Sequence, residues 1–424
     1  MRPIVHPRLI EPPREPDVVI LGAGAAGIGA ARRFLAAGLT VAILEARMRV
    51  GGRAITTALR GHPIDLGAHW LHAGPVNPLV KLGRERREPL RRAAPENHLV
   101  VGSRRGTRRE REQLDRAFAL ADRALARGAR GVADQSAAAA LPALGPWGKR
   151  VATIHGLVSG RMLGEVSLRD FLHLDYEDNF FIASGFGTYV GRLAAGLPIR
   201  LGAAAHALDW SGNGVAVETE VGRIRARAAI VTVPVTVLQR GAIRFTPSLP
   251  EAIGDAIGAF LPGIYEHVVM HWPGAPFRGA DRLASVVGHR LEPPGLLTRI
   301  DGSAFHYFEL DHPTALRLDG RDGAAAGRFA RAVMRDHFGN RSVHDLGVAA
   351  VTEWRHDPLA RGSWAVVPPG FYAIRDVIQR PVGDRVWFAG EAGSRAQSGT
   401  VGGAWAEGER AADTVIGHLL RAAA

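Results

Sequence analysis

Glycines at fixed intervals, followed at a set distance by an acid, are the first residues of this chain with chemical meaning. Gly22-Ala23-Gly24-Ala25-Ala26-Gly27 follows an apolar run at 17–21 and opens an alanine-rich stretch at 28–38; a second apolar run, 40–44, ends on Glu45. The order is strand, glycine turn, helix, strand, acid, and each residue type has a mechanical task. Gly22 permits the tight turn, Gly24 lets backbone N–H groups approach a pyrophosphate, and Gly27 lets the helix pack closely on the strands. The helix start at Ala25 and Ala26 adds about half a positive charge. Glu45 lies 18 residues beyond Gly27, close to the roughly 20 expected of an acid that accepts hydrogen bonds from a ribose. After Ala46 and Arg47 comes a second glycine pair, Gly51-Gly52-Arg53, whose cation suits a phosphate or a flavin. A lone glycine fingerprint is weak evidence. Here the strand, helix and acid context is satisfied, so a dinucleotide site is indicated, with the identity of the dinucleotide open at this point.

The elements that must position these groups fall into two kinds. Residues 56–67 read as a β-hairpin turning at Gly61-His62-Pro63. Residues 76–184 read as mostly helical, with an Ala/Gly-rich interruption at 128–148 and a helix at 111–127. Strand patterns return at 201–210, 214–220, 223–226 and 229–233, and again at 266–272. A helix is expected over 324–338, a short strand at 385–389 and a helix from 400 to 423. Nucleotide-domain sequence at both ends with another character between them implies a discontinuous domain.

Composition bounds the alternatives. The absence of cysteine excludes disulfides, thiolate catalysis and cysteine-ligated metals, and no metal site is expected. No apolar run approaches the roughly 20 residues that cross a bilayer. The leader, 1–16, carries five prolines and no apolar stretch of a signal peptide. It is expected to be flexible, and the protein to be cytoplasmic without a membrane anchor. A net charge of +12 would suit an anionic partner, but all but two of the 53 basic residues are arginine, the mark of a compositional bias. The densest basic stretch, 84–111, is interleaved with Glu85, Glu88, Glu96 and Glu110 and offers no aromatics to stack on bases, so no nucleic acid is expected. Nothing here bears on oligomeric state.

Taken together, the motifs resemble the flavin-containing amine oxidase family, and within it most closely the polyamine oxidases. The matching stretches are 19–27, Glu45-Ala46-Arg47, Gly51-Gly52-Arg53, Asp65-Leu66-Gly67-Ala68-His69-Trp70-Leu71-His72, Gly185-Phe186-Gly187, Ile230-Val231-Thr232-Val233-Pro234, Asp357-Pro358 with Gly362-Ser363-Trp364, and Phe388-Ala389-Gly390-Glu391 with 399–404. They run through almost the whole chain in the family's order. The resemblance implies an α/β fold: a discontinuous Rossmann-like FAD-binding domain (17–75, 195–260, 376–424) and an α+β substrate-binding domain (76–194, 261–375) of mixed sheet flanked by helices. The cofactor implied is FAD, held non-covalently since no cysteine is present for a thioether.

The resemblance also assigns roles. Gly390 and Glu391 would lie by the pyrophosphate and ribityl chain, and the Thr400-Val401 backbone, with Ala404 in the same helix start, by the pyrimidine end of the flavin. Gly67, Ala68, His69 and Trp70 would line the flavin, and Ala205 stands where the family has a valine touching adenine. Trp364 takes one aromatic position over the flavin, and Thr400 stands where monoamine oxidases have the second. A neutral His69 would orient the amine or take its proton. Most members carry a lysine that holds a water on flavin N5; here His267 stands there, or Glu266 after a one-residue slip. The implied reaction is hydride transfer from the α-carbon of a polyamine or other small amine, hydrolysis of the imine, and reoxidation by O2 to H2O2. A desaturase or dehydrogenase with another electron acceptor, and a non-enzymatic flavin-binding protein, are the alternatives. Glu165, Asp170, Asp175, Glu177 and Asp178 are acids that could line the mouth of a cavity for a cationic substrate.

Overall fold

The computed structural model describes residues 3–94, 97–173, 178–319 and 324–421. Its first core is a parallel five-stranded sheet in the order Val386–Phe388, Ala228–Val231, Val18–Leu21, Val41–Glu45 and Ile199–Leu201. These strands are largely apolar because both faces are covered, as parallel sheets require. Val18 and Ile20 face one core, shared with Ile28, Phe34 and Trp405. Val19 and Leu21 face the other, shared with Leu208, Val217 and Phe260. The first core is roofed by the helices Ala25–Ala36 and Val401–Arg421, from opposite ends of the chain. Glycine lets them touch: a Cβ at Gly408 would lie 2.0 Å from the Ala26 carbonyl oxygen. The second core is closed by a four-stranded sheet, Gly222–Ala226, Val215–Thr219, Ala205–Asp209 and Arg244–Thr246.

A mixed seven-stranded sheet forms the other body of the molecule, in the order Gly347–Val351, Glu266–His271, Phe305–Leu310, Gly295–Thr298, Arg282–Val287, His98–Val101 and Arg104–Arg105. Helix Ala325–Ser342 covers one face through Ala330, Val333 and Met334, against Val268, Met270 and Phe308. The opposite face turns its alternate residues, Val269, Tyr307 and Phe305, toward the hairpin residues Ile64 and Leu66. The α/β fold with a mixed-sheet second body is the one expected.

Two local expectations are corrected, and the leader is described beside them. The hairpin pairs Leu59 with His62, so its turn is Arg60-Gly61, both at positive φ, and His62-Pro63 begins the second strand. Within the stretch read as helical, His98–Val101 is a strand, recruited by parallel pairing to Arg282–Val287. The leader is bonded along its course: Ile4 N–H donates to the Thr56 carbonyl at 3.1 Å and Ile10 N–H to the Leu197 carbonyl at 3.0 Å.

A buried ion pair joins the helices Leu168–Phe171 and Ile374–Ile378. Arg375 donates to both oxygens of Asp170 at 2.6 and 2.8 Å, with both side chains at least 95% buried. It also reaches the carbonyls of Ala392 and Ala365. Asp170 is therefore a structural acid and not part of a cavity mouth. Asp170→Ala strands the guanidinium in the interior and should cost about 3–5 kcal/mol of stability, read from the urea midpoint; a loss of less than about 1 kcal/mol would show that the pair behaves like a surface one.

Candidate active site

The front glycine turn leaves room on one side only. Gly22 adopts φ +111°, and a Cβ on Gly27 would sit 2.0 Å from the Gly22 carbonyl oxygen, whereas a Cβ on Gly24 would meet nothing within 4 Å. Gly24 caps the helix without a side-chain bond, and the Ala25, Ala26 and Gly27 N–H groups have no protein partner among the described residues. Orphan donors facing open space are what an anion at a helix start requires. Gly51 N–H donates to the Ala23 carbonyl at 2.8 Å, and Gly52 packs over Gly24, setting the second glycine pair on the first. Glu45 is buried; its carboxylate accepts from Ala23 N–H at 2.7 Å and Arg47 N–H at 2.8 Å, while burial raises its pKa. A carboxylate has lone pairs left for two ribose hydroxyls. Ala46 lies between these anchors, and the Ala203 N–H bond to the Glu45 carbonyl brings in the strand that begins at Ala205. Arg47 pairs with Asp357 at 2.7 Å.

At the C-terminal end, Gly390 has φ +148° and open space where a Cβ would be. The Glu391 carboxylate turns away, accepting from Arg53 at 3.0 Å and from Ala365 N–H at 3.1 Å; Arg53 also donates to the Ser363 carbonyl at 2.9 Å. Thr400 uses its hydroxyl to start the last helix, donating to the Gln397 carbonyl at 2.8 Å and accepting from Gly403 N–H at 2.9 Å; Ala404 N–H bonds the Thr400 carbonyl. Val401 and Gly402 N–H then stand uncapped among the described residues. These residues fit a dinucleotide with a flavin at one end.

Between the two ends lies a buried aromatic cluster. A Cβ on Gly67 would be 2.0 Å from the Arg53 carbonyl oxygen, and Ala68 N–H donates to that oxygen at 3.1 Å, so His69 and Trp70 are mounted directly on the Arg53 turn. The His69 ring centre lies 4.9 Å from those of His267 and Tyr307. The His267 ring lies 4.8 Å from Tyr265, and Tyr265 lies 5.5 Å from Trp364. Trp364 is fixed by its indole N–H to the Ser159 carbonyl at 3.0 Å and packs against Gly160, Gly263 and Gly399. Trp70 closes the far side over Phe181, and His72 bonds Asn179.

Among the described residues, His69 Nε2 and both ring nitrogens of His267 are buried without a hydrogen-bond partner. Burial lowers the pKa of His69 to about 4 and that of His267 well below its ordinary value, so both are neutral near pH 7. Orphaned imidazoles of this kind await a water or a ligand. Of the two candidates for the lysine position, His267 lies in the cluster, and Glu266 points to the opposite face, where it accepts from the Thr352 hydroxyl and Arg355 N–H. Tyr265, Tyr307 and Glu309 escaped sequence reasoning; the period-two spacing of Tyr265 and His267 was the signal that could have found the first. Of the acids considered for a cavity mouth, Glu165 pairs with Arg161 and Asp178 with Arg92, while Asp175 and Glu177 lie outside the described residues. Among the described residues no group of three or more His, Cys, Asp or Glu could hold a metal, and no helix is long and apolar enough to cross a membrane.

Comparison with known proteins bears on the family and the fold. The family model for flavin containing amine oxidoreductases matches residues 25–140 and 103–416. Among curated proteins, Lysine-specific histone demethylase 1 homolog 2 of Oryza sativa subsp. japonica is 27% identical over 439 residues, covering 94% of this chain and 57% of that protein. Lysine-specific histone demethylase 1B of Mus musculus is 26% identical, covering 94% and 52%. The chain thus spans little more than half the length of these relatives. Among solved structures, putrescine oxidase bound to putrescine superposes with a TM-score of 0.75 at 20% identity, covering 95% of this chain and 99% of that one, and a double mutant of putrescine oxidase with 0.78 at 19%. At these identities the likeness is one of fold. With the family model matched along most of its length, this chain belongs to the flavin-containing amine oxidoreductases.

Proposed function

We propose that the chain binds FAD non-covalently from Glu45 to the His69–His267 cluster and oxidises a polyamine or other small primary or secondary amine, with O2 as acceptor and H2O2 as product. The observation that carries this reading is the set of orphaned, neutral ring nitrogens of His69 and His267 in a dry aromatic wall beside the Arg53–Glu391 junction. When bound, the flavin supplies the two-electron acceptor for a hydride from the amine α-carbon. His69, with Nδ1 against the Gly67 carbonyl at 3.2 Å, presents Nε2 to a substrate nitrogen and can orient it or hold its proton. Tyr265, Trp364 and Trp70 confine the amine and exclude water. His267 holds a water in place of the family lysine. Mixing the purified protein anaerobically with a panel of amines should bleach the flavin absorbance; failure of every amine would refute the reading.

One observation favours a second reading. The neutral His267 offers no fixed positive charge where the family has lysine, which suits an electron acceptor other than oxygen. If His267 serves oxygen, His267→Ala should slow reoxidation at least about tenfold more than it slows reduction, and His267→Lys should speed it, by stopped-flow of the two half-reactions. Equal reoxidation rates in all three proteins would move the assignment to the second reading.

The cofactor assignment has its own check. Gly24→Ala adds a methyl group into space that is open in the protein alone, at an N-cap with φ −77° that alanine adopts readily. It should leave the stability of the flavin-free protein within about 0.5 kcal/mol. FAD affinity should fall at least about tenfold as the backbone is pushed from the phosphates. In the unaltered holoprotein, acid should release all flavin to the supernatant. Full FAD affinity in the Gly24→Ala protein would show that nothing approaches this turn.

A further inference from the structure

We propose that the cavity beneath the leader is a binding site for a small aliphatic carboxylate, of acetate to propionate size, held by the Arg49 guanidinium and the Thr188 hydroxyl. The inference goes beyond the amine-oxidase reading above and does not depend on it.

The cavity, about 50 Å³ in volume, lies between the leader, the turn that carries Arg49 and Val50, and the helix Phe186–Leu193. None of the residues assigned above to the dinucleotide lines it. The leader roofs it by alternation: Pro3, Val5, Pro7 and Leu9 are half-buried, while Ile4, His6 and Arg8 are exposed. Val5 sits over Gly191, where a Cβ would lie 3.7 Å from its Cγ1. The roof is pinned on both sides of the cavity. Ile4 N–H donates to the Thr56 carbonyl at 3.1 Å and Gly196 N–H to the Arg8 carbonyl at 2.8 Å, whereas residues 5–7 make no backbone hydrogen bond among the described residues. An arch held at its ends and unbonded in the middle leaves enclosed space beneath it.

Two polar groups of the wall are left short of partners. Thr188 is 5% exposed, and its hydroxyl has no hydrogen-bond partner among the described residues, although its backbone N–H donates to the Thr56 hydroxyl at 3.0 Å. Arg49 forms no salt bridge among the described residues, and its guanidinium bonds only the Val50 carbonyl, at 3.2 Å. Its neighbour Arg47, by contrast, has Asp357 at 2.7 Å. Burial, reinforced by the charge of Arg47, lowers the pKa of Arg49 to about 10. Of the other polar lining residues, Thr56 spends its hydroxyl on Asp65 and His6 is exposed; no acid lines the cavity. A cation, an orphaned hydroxyl and no carboxylate together specify an anion. One guanidinium and one hydroxyl match the two oxygens of a carboxylate. A phosphate would leave oxygens unpaired against Val5, Leu9, Ile55 and Leu201, which suit a short alkyl tail instead. The volume exceeds the roughly 30 Å³ share of one water and falls well short of the roughly 150 Å³ that admits benzene, which limits the tail to one or two carbons.

The test is saturation-transfer NMR of the purified protein with propionate at constant ionic strength, with n-propanol, propylammonium and inorganic phosphate as competitors. Propionate should half-saturate at about 1 mM or below, an affinity within reach of so few atoms. Each competitor should displace it at least about tenfold less effectively, the worth of a charge-assisted hydrogen bond or of the buried tail. Thr188→Val keeps the side-chain shape and removes the hydroxyl, so it should weaken propionate at least about threefold while flavin content and thermal midpoint stay unchanged. Arg49→Gln should weaken it at least about tenfold. No saturable binding up to about 10 mM would overturn the proposal. So would displacement by n-propanol or propylammonium at equal concentration, which would show that the charge is not read, or by phosphate, which would show that the tail is not. Undiminished binding in Thr188→Val would place the propionate elsewhere and overturn it as well. The competitors and Thr188→Val decide the question if Arg49→Gln folds poorly.

Discussion

The Glu391 carboxylate is where distant parts of this chain are made to meet. A buried carboxylate must be compensated, and the groups that compensate it are Arg53, 338 residues away, and the backbone N–H of Ala365. Arg53 in turn is the platform for Gly67 and Ala68, and therefore for His69. Ala365 is the chain neighbour of Trp364, while Arg375 grips the Ala392 carbonyl beside Glu391 and anchors Asp170 of the helix Leu168–Phe171. One charge thus links the glycine turns, the aromatic wall and, through Arg375, the helix Leu168–Phe171. Loss of its geometry would move every side chain of the site by the small distances on which orientation depends.

The electrostatic character of the site follows from the same burial. The protein is strongly basic, yet the cluster holds no fixed cation: His69 and His267 are kept neutral by desolvation, and Tyr307 is driven further from ionisation. On the proposed reading, a neutral, buried aromatic enclosure would favour an uncharged amine nitrogen. Such histidines also couple the fold to pH. Their folded pKa values lie below the unfolded value near 6.5, so the unfolded chain binds more protons and stability drains away as pH falls from about 6.5 toward about 4.

Much of the fold was legible because its signals are local. The glycine turn, the acid at Glu45 and the long last helix each declare themselves within a few dozen residues, by periodicity and by the φ and contact demands that glycine meets. What was hidden depends on pairing between remote strands. Nothing in four residues at 98–101 announces a parallel partner at 284–287. Pro63 looked like a turn residue, and the two positive φ values at Arg60 and Gly61 placed the turn before it. Candidate site residues carried by motifs, such as His69 and Trp364, could be named in advance. Tyr307 and Glu309 could not, because they join the site only through cross-strand register with Val269 and His267. His267 itself was ambiguous by one residue until the Thr352 hydroxyl showed which face Glu266 takes.

The central claim is that a single flavin dinucleotide runs from Glu45, past Gly24 and the Arg53–Glu391 junction, to the wall of His69, His267 and Trp364. Calorimetric titration of the flavin-free protein with FAD and, in parallel, with FMN tests it most directly, because FMN lacks the adenosine that Glu45 would hold. One FAD should bind per chain, with FMN weaker by roughly a hundredfold or more, the worth of the ribose hydrogen bonds. Equal affinity for the two, or tight binding of neither, would contradict the account.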